Sequence, residues 1–142
     1  MQAYPSVNTQ VIGQAESALG ALLGPILVRT GTTFTQWLVL VITTAGGGEV
    51  ERGPLVARIS DARKIDAAEV ESAIGELRAS GLLQATALVS PTERGRARHD
   101  EIRRAIDEVS ARLFDFPDED LAIAGRVLSI VTMRANAELA ED

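Results

Sequence analysis

The chain has 142 residues, of which 46% are hydrophobic and 24% charged, the balance of one folded domain whose core needs no metal or covalent staple. It holds no cysteine and one histidine, His99, which excludes disulfides, thiolate metal sites and cysteine nucleophiles and leaves no dense zinc-ligand set. With 14 basic against 20 acidic residues the formal charge is −6, which repels nucleic acid at long range, so any contact with DNA must come from local geometry.

The opening residues lack a basic lead and a continuous apolar run, so no signal peptide is expected. No segment reaches the roughly 20 uninterrupted apolar residues of a spanning helix, and residues 35–45 come nearest. These readings point to a cytoplasmic protein without a membrane partner. From Val7 to Leu27 apolar residues recur at three- and four-residue steps, which predicts a helix over about 6–28 with one apolar stripe. Gly24-Pro25 should fray or kink its last turn. After Gly31 a nearly continuous apolar run, capped by Thr32, Thr33 or Thr35, predicts a short buried helix that ends at the glycines 46–48.

Pro54 suits the first turn of another short helix. A second, amphipathic helix follows, with Val70, Ala73, Ile74 and Leu77 on one face, Gly81 as its stop, and Asp66 with Glu69 as a capping box. Two short apolar runs within LLQATALVSP predict a hairpin closed by Pro91. Thr92 opens a long helix to about Phe114 with Ile102, Ile106, Val109 and Leu113 as its stripe. Asp118 to Asp120 supply anions for the start of a last helix, whose stripe runs from Leu121 to Leu139.

The fold class expected is mainly α with a small β-hairpin. A short helix, a turn, an amphipathic helix and a hairpin compose a winged helix-turn-helix, whose second helix is shaped to enter a major groove. The long helices at both ends carry apolar stripes that a second copy of the chain would cover most simply. The expected organisation is one domain over 1–142, with dimerisation arms at 1–30 and 100–142 around a core at 33–98.

TFTQWLVLVITTAG (33–46), ELRASGLL (76–83) and TERGRARHDEI (92–102), in this order and spacing, resemble the MarR family of bacterial transcriptional regulators. Thr92, Gly95 and Arg96 fall where the family's Thr-x-x-Gly-Arg motif opens the long helix after the wing. The resemblance implies a homodimer with interlocked terminal helices that binds a double-stranded DNA operator. It also implies release by a small effector, often aromatic or phenolic, bound between the arms and the reading unit. The sequence departs from the pattern in an uncharged wing, QATALVS, and in a reader helix that carries Asp66, Glu69, Glu71 and Glu76 against only Arg78.

Cations placed for phosphate contact are Arg58, Arg63 and Lys64 around the turn and Arg94, Arg96 and Arg98 at the base of the wing, with ion pairing on a solvated helix as the other reading of the second group. Glu69 and Ser72 stand on the reader helix where bases would be met; a solvated serine is the plainer role for Ser72. Trp37, Thr33, Gln36 and His99 are the residues assigned to an effector cleft, weighed against core packing for Trp37, helix capping for Thr33 and an ordinary surface role for His99. No metal and no cofactor is expected. The glycine-rich stretches lack the lysine and hydroxyl of a phosphate loop, and one histidine without cysteine assembles no nucleophile and base, so no enzyme activity is expected. The alternative is a dimer of the same fold that no longer reads DNA and serves as a ligand-binding or protein-partner module.

Overall fold

A computed structural model describes residues 3–141. Along it run α1 (Thr9–Arg29), α2 (Phe34–Ala45), β1 (Val50–Glu51), α3 (Arg52–Arg63), α4 (Ala67–Ala79), β2 (Leu83–Ala85), β3 (Leu88–Pro91), α5 (Glu93–Leu113) and α6 (Asp118–Ala140). They gather into two compact units, one ending at Ile106 and one starting at Asp107. The first arm therefore groups with the winged core, and the division falls inside α5.

In the first unit α1 starts where the Asn8 side chain accepts from the Val11 N–H at 2.9 Å. Against expectation the helix runs unbroken past Pro25 to Arg29, since one proline removes a single backbone bond from a helix already several turns long. The helix also qualifies by length and composition as a membrane span, with a mean hydropathy of 1.5 over its most apolar window and few buried residues. The sequence reading missed this because glycine, alanine and scattered polar residues interrupt the run.

The Thr33 hydroxyl accepts from the Gln36 N–H and the Gln36 side chain accepts from the Thr33 N–H, both at 3.1 Å, a full capping box at the head of α2. Trp37, Val39, Leu40 and Thr43 go inward from this helix. The buried Thr43 hydroxyl donates to the Val39 carbonyl at 2.8 Å, so it enters the core satisfied. The chain leaves α2 at Gly46 and turns through Gly47 (φ 78) and Gly48 (φ 109), a backbone open only to glycine.

Helices α3 and α4 pack on α2 through Leu55, Val56 and Ile59 and through Val70, Ala73, Ile74 and Leu77, all buried. Between them Lys64 holds a left-handed conformation (φ 57), the one non-glycine residue to do so among those described. The capping box expected of Asp66 and Glu69 does not form. The Glu69 N–H bonds instead to the main-chain carbonyl of Asp66 at 3.0 Å, which removes the need for a side-chain cap.

The hairpin of β2 and β3 gains a third strand, in the order β1-β3-β2, with Val50 opposite Val89 and Leu83 opposite Pro91. Val89, in the middle strand, is fully buried. Helix α5 is locked onto this sheet by its first turn. The Thr92 N–H donates to the Leu82 carbonyl at 3.1 Å, and the Thr92 hydroxyl donates to the Gly81 carbonyl at 2.7 Å while accepting from the Gly95 N–H at 3.1 Å. Gly95 lies so close to the Leu82 carbonyl that no side chain fits between them.

In the second unit α6 begins with Asp118, Glu119 and Asp120, which complement its dipole. No residue of α6 is buried, and Ile123, Leu128, Val131, Met133 and Leu139 stand exposed.

Candidate reading face and effector cleft

Helix α4 presents Glu69, Ser72, Gly75, Glu76 and Ala79 to solvent because its opposite face is consumed by the core. Its acids are not all free. Arg52, at the head of α3, donates from Nε and Nη2 to one carboxylate oxygen of Glu71, the first at 2.9 Å. That bond holds the Glu71 carboxyl below its ordinary range against an opposing push from burial. Gln36 Nε2 donates to Glu76 at 3.3 Å, which ties α4 to the capping box of α2.

Five of the six cations nominated from the sequence divide into three groups. Arg58 and Arg96 are exposed, the latter beside Gly47, Gly48 and Glu49 in a polar hollow at the sheet edge. Lys64 and Arg94 are exposed but tied: Lys64 Nζ donates to the Asp61 carbonyl at 2.7 Å and Arg94 Nη1 to the Ser80 carbonyl at 3.1 Å. Arg98, assigned to phosphate, is half-buried and spends one of its donors within the fold. It donates to the Thr30 carbonyl at 2.8 Å and lies 3.5 Å from the Thr32 hydroxyl, so it fastens α5 to the end of α1. Neither helical period nor charge pattern distinguished it from Arg94 and Arg96, because its acceptors lie more than 60 residues away in sequence.

Arg63 is exposed and reaches over Phe34. Its guanidinium carbon stands 4.4 Å from the centroid of the Phe34 ring, and the side chain lines a cleft of about 730 Å³ within the first unit. Leu19, Leu23 and Leu27 of α1 and Phe34 and Trp37 of α2 form the apolar walls, and Thr33, Arg103 and Glu16 add polar groups. This volume falls in the range of about 300–1,000 Å³ usual for small-molecule sites. Of the four residues assigned to such a cleft, Thr33 and Trp37 line it; Gln36 and His99 do not. His99 stacks on Trp37 with ring centroids 5.3 Å apart and an interplanar angle of 21°, and Nδ1 lies 3.0 Å from Asp100 Oδ1. The guanidinium carbon of Arg103 lies 5.4 Å from the centre of the Trp37 ring. Among the described residues neither Arg63 nor Arg103 is engaged in an ion pair or hydrogen bond, so each has donors to offer an anion.

No family profile and no curated protein sequence matches the chain. Solved structures do match it in fold. The chain is similar to CouR from Rhodococcus jostii RHA1, solved with p-coumaroyl-CoA bound, at a TM-score of 0.75 and 21% identity, over 92% of this chain and 95% of that one. It is similar to a MarR-family transcriptional regulator from Rhodococcus sp. RHA1 at a TM-score of 0.70 and 20% identity, over 89% and 96% of the two chains. A third is BpsR of Bordetella bronchiseptica, whose DNA binding 6-hydroxynicotinic acid regulates, at 0.67 and 21%, over 93% and 98%. The class these define is the MarR-type winged helix-turn-helix, and the expected fold, mainly α with a winged hairpin, is the one observed.

Proposed function

We propose that the chain is a homodimeric DNA-binding transcription regulator, a repressor that reads a pseudopalindromic operator with α4 of each subunit. The observation that carries this reading is the presentation of α4: one face held by α2, α3 and the sheet, the other open beside the strand pair β2 and β3. A second copy of the chain supplies the cover for Leu22 and Val28 on α1 and for Leu128 and Val131 on α6. The same pairing accounts for the apolar length of α1 without a membrane, and a regulator that reads DNA works in the cytoplasm. The work is binding, not catalysis, as it is for the regulators that share the fold.

Release is brought about by a small aromatic anion in the cleft beside Trp37. The support for this ligand class is the union of aromatic walls with two unpaired guanidinium groups. The 6-hydroxynicotinic acid named with BpsR is a small aromatic anion, and the p-coumaroyl-CoA named with CouR presents a phenol ring on a much larger thioester.

Titration of the chain against the DNA upstream of its own gene tests the reading. For about four to eight phosphate contacts, affinity should fall roughly 10²- to 10⁴-fold between 50 and 200 mM salt. The alternative, a dimer of this fold that binds ligand or protein but not DNA, draws on Glu69 and Glu76 at the open face of α4 and on the uncharged wing. It forms no specific complex even at low salt.

A further inference from the structure

The cleft and the reading unit share one charged residue. Arg63 is the last residue of α3, and its side chain lies in the cleft over Phe34. The next residue, Lys64, is held at φ 57, where a side chain other than glycine is disfavoured. The turn is pinned around it: the Ser60 hydroxyl donates to the Ile65 carbonyl at 2.6 Å, and the Ile65 N–H donates to the Ser60 carbonyl at 3.1 Å. Helix α4 begins at Ala67, three residues beyond. A pull on the Arg63 side chain therefore acts on a backbone with little slack, immediately ahead of the helix that faces outward. Arg103, the other cation of the cleft, sits in the interior of α5 and has no such connection.

We propose that Arg63 reads the negative charge of a ligand and passes it to the turn before α4, an inference that rests on the effector-cleft reading above. A carboxylate in the cleft offers the guanidinium a charge-assisted, two-pronged pair that the Phe34 ring cannot match. The ligand moves the turn only by the difference between its contacts in the two arrangements, and that difference is the Arg63 pair. A neutral molecule of the same shape fills the apolar walls and leaves the turn as it was. A guanidinium paired with an anion in the cleft is also one cation fewer for a phosphate backbone.

The test uses the full chain, whose single tryptophan, Trp37, reports occupancy of the cleft by its fluorescence. Phenylacetate and its neutral counterpart phenylacetamide are titrated, and amide hydrogen exchange over 61–69 is followed at saturation with each. Phenylacetate should bind about tenfold more tightly than phenylacetamide, and it alone should alter exchange in the turn. In Arg63→Gln that preference collapses and the exchange response disappears even at saturating phenylacetate, while Arg63→Lys keeps part of both. Arg103→Gln weakens binding but keeps the response. A saturated Arg63→Gln variant that still alters exchange in the turn, or still prefers the anion as the parent does, overturns the inference and leaves the cleft reading standing. Absence of any binding by the parent chain overturns both.

Discussion

Gly95→Ala is the substitution whose effect the structure fixes most sharply. A Cβ there would meet the Leu82 carbonyl oxygen at 2.1 Å and its carbon at 3.1 Å, with Pro91 Cβ at 3.4 Å. The obstacle is main chain, so the first turn of α5 must retreat from the sheet by about 1 Å to regain ordinary contact. Retreat strains or breaks the bonds from Thr92 to Gly81 and Leu82, each worth about 1 kcal/mol, and overpacking itself costs about 1–3 kcal/mol. Against this stands the helix preference of alanine over glycine, about 1 kcal/mol. The balance is a loss of about 2–4 kcal/mol. Gly75→Ala is the matched control: it lies exposed inside α4 with nothing near its added methyl, and should gain about 0.5–1 kcal/mol. Urea unfolding of both variants and the parent at one fixed protein concentration, so that association does not shift the midpoints, should move them in opposite directions. A Gly95→Ala midpoint at or above that of the parent would refute the close approach of α5 to Leu82.

Two further expectations follow from charge. Because Arg52 holds the Glu71 carboxyl below its ordinary value of 4.5, the pair stabilises the fold above that pH and ceases to do so as pH falls through the lower value of the folded state. Both side chains are part-exposed and screened by solvent, so Glu71→Gln should cost no more than about 1 kcal/mol at pH 7, and the difference should shrink as pH falls through the lowered value of the folded state; urea midpoints whose difference does not change with pH would count against the pair. Leu128→Asp or Val131→Asp changes a residue exposed in the single chain, so folding should survive, but in the proposed dimer seam it buries an unpaired charge at a cost of several kcal/mol, about 3–5 by analogy with broken buried pairs. Sedimentation should show monomers, and a persistent dimer would place the seam elsewhere.

What was legible in the sequence is what a local period can write. Val70, Ala73, Ile74 and Leu77 announce a helix face by their spacing, and they are the face that α4 buries. Thr92 and Gly95 announce a motif whose reason is now visible, a cap and a close approach in one turn. Strand β1 was illegible because two residues have no period; Val50 and Glu51 become a strand only by pairing with Val89 and Leu88. The cleft was half legible. Trp37 stood out as the one tryptophan, but Phe34, Arg63 and Arg103 are brought together by packing across α2, α3 and α5, and no spacing along the chain foretells that. The bond from Arg98 was illegible for the same reason, since its carbonyl acceptor lies at the far end of α1.

The formal charge of −6 weighs less against the proposed reading of DNA than it first does. Charges farther apart than about 8 Å are largely screened at physiological salt, so the groups close to α4 decide the matter and the total does not. Of the three carboxylates on that helix, Glu71 is neutralised by Arg52 and Glu76 accepts from Gln36. Glu69 stands without a polar partner among the described residues, and it lies in the first turn, where the helix dipole favours an anion. Arg52 therefore cancels one of the three charges, while Glu76 keeps its own although bonded to Gln36, and Glu69 and Glu76 remain at the open face, where a carboxylate can accept from the amino group of cytosine.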